Sequence, residues 1–445
     1  MTDRPVTLSV QDKSLDQVKA CIHKQVVASL DLSAAAGMEQ AELRRECLGR
    51  VQALLAEQRR PIPAADRVRL IQEVMDDIFG LGPLEELLRD PTISDILVNG
   101  PHQVYVEREG RLSAVSARFR DNDHLLQIIH HIASRVGRRI DESSPMLDAR
   151  LQDGSRVNAI IPPLALDGPA LSIRRFGTCP LGTEALVRKG TLAPEMARFL
   201  EAAVLCRLNI IISGGTGTGK TTLLNALSQW IPKSQRVVTI EDAAELRLLR
   251  EHVVRLETRP QNIEGRGEVS QRDLLRNTLR MRPDRIVIGE ARGAEALDML
   301  QAMNTGHEGS MTTVHANSAR DALGRVEIMV SMAGLNFPVQ AIRQQISSAI
   351  DILVHLSRMT GGQRRVTSIS ELSGMEGSTI CMSELFKFSQ TGIDSNGNAD
   401  GYFEACGVRP RVMADLEAED VAFPPDFFHN RKLNANPGSQ NAANP

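Results

Sequence analysis

Residues 210–227 read "IIISGGTGTGKTTLLNAL", and the order of those residues decides the fold. The isoleucines close a continuous apolar run, "RLNIIIS", of the kind required of a strand buried on both faces of a parallel sheet. A glycine-rich segment follows, and then a helical pattern, "TTLLNALSQW". Gly214 to Thr221 fit G-x-x-x-x-G-K-[ST] in the strand–loop–helix context that this motif needs. Glycines permit a tight wrap in which backbone N–H groups face phosphate, helped by the positive end of the following helix. The candidate nucleotide-binding residues are therefore Gly214, Gly215, Thr216, Gly217, Thr218, Gly219, Lys220, Thr221 and Thr222. Lys220 supplies a point charge for the β- and γ-phosphates, and Thr221 a hydroxyl for Mg²⁺. The bland alternative is a glycine-rich turn with a chance lysine, and its placement between strand and helix speaks against it.

Working outward, the strand–loop–helix pattern repeats. "RVVTI" and "RIVIGE" are two more buried strands, each followed by a helical pattern, which predicts a doubly wound α/β nucleotide-binding core. Parallel strands deliver their C-terminal residues to the edge that carries the phosphate loop. "RVVTIEDAAEL" places Glu241, Asp242 and Glu245 there, and "RIVIGEARG" places Glu290 at the Walker B position. A carboxylate at that edge holds Mg²⁺-bound water or polarises the attacking water. Strand-end acids also serve as helix caps or solvated charges, a reading that weighs most for Glu241 and Asp242. Downstream, "MNTGHEGSMTTVHANSA" sets His307 and His315 among Gly, Ser and Thr, which fits a polar phosphate sensor. A lone histidine would more often be structural, and no suitably spaced third ligand points to a metal. Arg174, Arg175, Arg276, Arg280, Arg282 and Arg292 are candidates to neutralise the transferring phosphate, since an always-charged planar fork suits that task. Any one of them is more often a surface or interdomain ion-pair residue.

The rest of the 445 residues organises around this core. Up to about residue 60 the pattern is helical, with Leu43, Cys47, Val51, Leu54 and Leu55 on one stripe. "DRVRLIQEVMDDIFG" is a further helix ending at Gly80 and Pro83. Alternation with turn signals at Asn99-Gly100, Glu109-Gly110 and Asp153-Gly154 predicts a small α+β domain over residues 61–178. The stretch 179–194 reads as a linker, 195–428 as the nucleotide-binding domain and 429–445 as a disordered tail. A formal net charge of −3 and 3% aromatics give no electrostatic or stacking basis for a nucleic-acid partner. No apolar run approaches the length of a bilayer span, which predicts a cytoplasmic protein. Cys21, Cys47, Cys179, Cys206, Cys381 and Cys406 are scattered, as expected of reduced thiols.

Three stretches together resemble the type II/IV secretion ATPases. "LRMRPDRIVIGEARG" is similar to that family's Walker B signature, "TIEDAAEL" to its aspartate box and "TGHEGSMTTVHANSA" to its histidine box, in the family's order. "LGPLEELLRDPTISDILVNG", "LDARLQDGSRVNAIIPP" and "LSIRRF" resemble its N-terminal domain. "GEARGAEALDMLQAMNTGHEGSMTTVHANSARDAL" and "GVRPR" are similar to the CpaF branch, which serves tight-adherence (Tad, Flp-type) pili. The resemblance implies a RecA-like P-loop ATPase core behind a smaller α+β domain and a helical extension, with ATP and Mg²⁺ as ligands. It further implies Glu290 as the Walker B acid, Glu245 as activator of water, and His307 and His315 as the histidine-box pair. Arginines such as Arg174, Arg175, Arg280 and Arg292 would complete the site. The implied assembly is a homo-hexamer, peripheral to the inner membrane. It would act on a membrane platform protein and through it on pilin subunits, with no direct nucleic-acid partner. The four-cysteine zinc motif of many type II secretion and type IV pilus extension ATPases is missing, which favours the Tad or conjugation-type branches. The conjugation-type ATPase, exporting DNA or protein, is the alternative; a kinase or a catalytically silent scaffold has less behind it.

Overall fold

The structure, a computed structural model, describes residues 10–29, 38–58, 62–108, 110–151, 153–175, 181–259, 261, 266–334, 337–395 and 397–433. Glu109, Cys179 and the last twelve positions of the expected tail lie outside the described residues. The chain divides into two compact units, Met1–Thr178 and Cys179–Pro445.

The first unit opens with α1 (Val10–Ser29), α2 (Gln40–Ala56), α3 (Ala64–Phe79) and α4 (Leu84–Arg89). The stripe read in the sequence buries Cys47, Val51 and Leu55 of α2 against Ile22 and Val26 of α1. The same cluster takes in Leu70, Val74 and Met75 of α3. The expected boundary at residue 60 therefore falls inside a helical cluster that runs on through α3, because the apolar face of α3 is spent on α1 and α2. Then come β1 (Ile93–Asn99), β2 (Val104–Arg108), β3 (Arg111–Ala114), α5 (Asn122–Arg135), β4 (Met146–Arg150), β5 (Arg156–Ile160) and β6 (Ala170–Arg174). The strands form an antiparallel sheet in the order β3-β2-β1-β6-β5-β4. Asp121 caps α5 by accepting from the His124 N–H, and Leu125, Ile129 and Ile132 of that helix bury with Ile96, Val157 and Ile173 of the sheet.

The second unit runs α6 (Thr183–Arg188), α7 (Pro194–Leu205), β7 (Ile210–Gly214), α8 (Lys220–Ser228), β8 (Val237–Glu241), β9 (Val253–Glu257), α9 (Gln271–Thr278) and β10 (Arg285–Ala291). It continues with α10 (Glu295–Asn304), β11 (Met311–His315), α11 (Ala319–Ser331), α12 (Val339–Ala349), β12 (Ile352–Arg358), β13 (Arg364–Glu376), β14 (Thr379–Ile393), β15 (Ala399–Ala405), α13 (Met413–Ala418) and β16 (Arg431–Leu433). One ten-stranded sheet holds these strands in the order β16-β15-β14-β13-β12-β7-β11-β10-β8-β9. From β12 to β9 every pairing is parallel, and from β12 to β16 every pairing is antiparallel. Two separate cores, one with α7 and α8 and the other with α10, α11 and α12, show that helices cover both faces. β7 and β8 are buried along their whole length, as their unbroken apolar runs required.

Two expectations about connections change here. The stretch read as a linker contains α6, and Leu186 and Leu192 belong to the core of the second unit. The tail read as disordered from residue 429 begins with β16, whose Leu433 pairs with Phe403 and is buried.

Candidate nucleotide-binding site

β7 ends at Gly214, and register carries the neighbouring strands to the same edge. His315 stands opposite Gly214 on β11, Ala291 opposite Val314 on β10, Ile240 opposite Ile288 on β8, and Leu356 opposite Gly214 on β12. Lys220 begins α8, so the segment between Gly214 and Lys220 is the turn from strand to helix. Gly217 and Gly219 hold φ of 70° and 96°, conformations that a side chain resists. A Cβ on Gly214 would lie 2.5 Å from the Leu356 carbonyl oxygen, so only glycine lets the loop leave the strand beside β12. The first turn of α8 contains no acid, which leaves its N-terminal N–H groups and dipole uncompensated for an anion. Lys220 Nζ donates to the carbonyls of Gly214 and Gly215 at 3.0 and 2.9 Å, within its own loop. Thr218 is buried and donates to the Gly215 carbonyl, while Gly215, Thr221 and Thr222 are half-buried and Thr216 and Gly217 exposed. Glycines, lysine and threonines thus form one cradle.

The carboxylates behave differently from one another. Glu241 is buried at the end of β8, and its Oε2 accepts from the N–H groups of Glu245 and Leu246 at 2.8 and 2.9 Å. Its Oε1 is buried without a hydrogen-bond partner among the described residues, and burial pushes the carboxyl up to about 7 against the pull of those two N–H groups. Asn225 of α8 accepts from the Arg247 N–H at 2.9 Å, so the segment carrying Glu245 is tied down on both sides. Glu245 itself is half-buried. Glu290 is half-buried and pairs with Arg292 at 2.6 Å, and Arg292 also reaches Asp242 at 3.4 Å. His307 has a buried Nδ1 without a hydrogen-bond partner among the described residues, and His315 is half-buried at the end of β11.

The arginine candidates scatter. Arg276 joins Arg272 on Asp298, while Arg280 and Arg282 are exposed beyond α9. Arg174 and Arg175 belong to the first unit. Arg174 pairs with Asp95 at 3.2 Å, and Arg175 donates to the carbonyls of Leu87, Asp90 and Ile93. Of the set, Arg292 alone contacts a candidate catalytic acid in the second unit.

Sequence reading passed over three residues of β12 and β13. His355 is buried, its Nδ1 lies 2.8 Å from Ser213 Oγ, and it bonds the backbone of Asn317 just beyond His315. Burial lowers its pKa, which keeps the ring neutral. Arg364 Nε donates to the Gly217 carbonyl at 3.0 Å, and a Cβ on Gly217 would lie 3.7 Å from Arg358 Nη1. A histidine inside the strand "ILVHLSR" and arginines flanking Gly361-Gly362 were the available signals.

The profile of the family described as "Type II/IV secretion system protein" matches residues 78–391. A putative conjugal transfer protein of Mycobacterium tuberculosis is 38% identical over 313 residues, covering 69% of this chain and 88% of its own. The conjugal transfer protein TrbB of Rhizobium radiobacter is 33% identical over 310 residues, covering 69% of this chain and 91% of its own. Among solved structures, the VirB11 ATPase of the Brucella suis type IV secretion system is 31% identical, covering 66% of this chain and 97% of its own, with a TM-score of 0.36. On the extent of the profile match and the identity with the conjugal transfer proteins, this chain belongs to the type II/IV secretion system protein family.

Proposed function

We propose that this chain is an ATP-hydrolysing motor of a secretion or pilus machine. The observation that carries the reading is a phosphate cradle with Lys220 and Thr221 on the same sheet edge as Glu241 and Glu290. The Lys220 ammonium, now held by two loop carbonyls, turns to phosphate oxygens when a nucleotide enters. Backbone N–H groups at the start of α8 take the β-phosphate. The donor set fits magnesium: a hydroxyl at Thr221 in the first helical turn, with the Glu290 carboxylate at the end of β10. Magnesium, when bound with ATP, would neutralise charge on the transferring phosphate. Glu245 orients the attacking water, and Glu241 acts one step back by fixing the Glu245 backbone. His307 and His315 report on the phosphate.

The motor works as a homo-hexamer peripheral to the inner membrane and pushes on a membrane platform protein. No helix among the described residues is long and apolar enough to cross a membrane, so such work needs a partner that does cross. Two cargoes have support. The stretch from Gly289 to Leu323 and "GVRPR" favour Tad/Flp pilus assembly through pilin subunits. The conjugal transfer relatives favour a conjugation-type ATPase exporting DNA or protein, and that support is at least as strong.

Steady-state hydrolysis tests the chemistry. Lys220→Ala should abolish nucleotide binding, and Glu290→Gln should bind ATP with turnover at least a hundredfold lower. Wild-type protein that releases no phosphate from ATP at any concentration sinks the reading. Pull-down of Glu290→Gln from native membranes then separates the cargoes. A platform protein with pilins supports the pilus machine, and conjugation-channel components or DNA support the other.

A further inference from the structure

The β12–β13 hairpin closes over the phosphate loop from the side opposite the carboxylates. β12 runs parallel to β7 with Leu356 opposite Gly214, so Arg358 projects two residues past the point where the loop begins. The chain turns at Gly361-Gly362 and returns with Arg364 directly opposite Arg358. Both side chains are exposed, and Arg364 touches the loop: its Nε donates to the Gly217 carbonyl at 3.0 Å, and its Cδ would lie 3.4 Å from a Cβ on Gly219. Arg358 Nη1 lies near the loop from the other strand, 3.7 Å from where a Cβ on Gly217 would stand.

The hairpin is braced. Met359 N–H donates to the Gln363 carbonyl at 2.7 Å, and Ala399 N–H donates to the Thr360 carbonyl at 3.0 Å. Gly361 packs so closely on Asn398 that a Cβ there would meet Asn398 Oδ1 at 2.5 Å. The backbone positions that carry the two arginines are thus fixed beside a loop that already carries Lys220.

We propose that Arg358 and Arg364 form a polyphosphate clamp, contacting the phosphate chain of the bound nucleoside di- or triphosphate from the flank opposite Glu241 and Glu290. The inference rests on the nucleotide reading above and adds to it a second cationic wall supplied by the same unit. Three cations around one loop make sense against a polyphosphate carrying three to four negative charges. The planar fork suits phosphate oxygens better than an ammonium does. The bond from Arg364 to Gly217 also couples the hairpin to loop shape, so an emptied loop and a filled one present different partners to the same arginine.

The test is binding and turnover by the full-length chain with Arg358→Ala, Arg364→Ala and the double substitution. Fluorescent methylanthraniloyl-ADP is the probe, and inorganic tripolyphosphate and adenosine are the competitors. Each single change should weaken ADP and tripolyphosphate about tenfold, one charge-assisted contact apiece. The double change should raise the KM for ATP further while kcat moves less than about threefold. Adenosine competition should stay as in the wild type. Lysine at each position should recover only part of the affinity, and melting temperatures without nucleotide should match wild type within about 2 °C. Unchanged tripolyphosphate competition in a protein that still hydrolyses ATP overturns the clamp and leaves the motor reading standing. Loss of adenosine competition instead assigns the arginines to the base and also overturns the clamp. A wild-type chain that binds no nucleotide overturns the reading beneath it.

Discussion

Glu241 carries the sharpest prediction at the level of a single side chain. Its carboxyl is buried at the end of β8, holds the backbone of Glu245 and Leu246, and sits about 7 against an ordinary 4.5. Between those two values the folded chain keeps a proton that the unfolded chain has released. Stability from this group is therefore complete below 4.5 and falls as pH rises through 7. Glu241→Gln keeps an oxygen acceptor for both N–H groups and has nothing to titrate. Its melting temperature should exceed wild type at pH 7.5 by an amount equivalent to the order of 3 kcal/mol, with the gap closing toward pH 4.5. Parallel melting curves across that range would remove the buried acid from the account. The motif residues were legible because the phosphate loop and its helix are one local segment. Glu241 read as well for a cap as for catalysis, because its burial depends on Gly289 of a distant strand, where a Cβ would lie 2.9 Å from Glu241 Cγ. His355 was invisible for the same reason, reaching Ser213 only through the pairing of β12 with β7 across 142 residues of sequence.

Elements follow the same division. Strands β7, β8 and β10 announce themselves by short unbroken apolar runs, α2 by its stripe, and α3 by its helical pattern and the stop at Gly80 and Pro83. The end of the second unit does not, because its core is aromatic and drawn from separate segments. Seven of the 11 phenylalanines gather there: Phe199 of α7, Phe386 and Phe388 of β14, Phe403 of β15, and Phe423, Phe427 and Phe428 beyond α13. Phe423 and Phe427 lie 4.5 Å apart between ring centres, Phe427 and Phe428 4.9 Å, with Arg198 over the first two. No periodicity links residues 423–428 to β14, so a polar segment such as 429–433 reads as tail although β16 holds the edge of the sheet. Phe427→Ala removes a buried ring from this cluster and should cost about 3–4 kcal/mol, lowering the melting temperature of the unit by roughly 5–10 °C. The KM for ATP should not change, because among the described residues no ring contact joins the cluster to the phosphate loop. A shift in KM at unchanged melting temperature would mean that the cluster serves the site rather than the fold.

At the scale of the whole molecule, Arg174 and Arg175 of the first unit differ in what their substitution can report. Arg175 is occupied as a brace, donating to three carbonyls around α4 and β1, so Arg175→Ala should unfold the first unit rather than report on catalysis. Arg174 is held by one ion pair with Asp95 and leaves 51% of its side chain exposed, so it can be removed without that penalty. An exposed pair of this kind contributes under about 1 kcal/mol. If the proposed ring brings Arg174 of one subunit to the nucleotide held by its neighbour, Lys220→Ala and Arg174→Ala each inactivate a uniform assembly for different reasons. Mixed in equal amounts, they restore sites in which Lys220 comes from one variant and Arg174 from the other. A head-to-tail ring with random order then places both intact residues at about a quarter of its interfaces, so turnover should recover to about that fraction of wild type. Recovery should also require assembly, and so should fade on dilution below the concentration at which light scattering detects the ring. Activity that stays at the level of the separate variants would place Arg174 on its own subunit's nucleotide or off the site altogether. Full activity of Arg174→Ala alone would return it to its ion pair with Asp95.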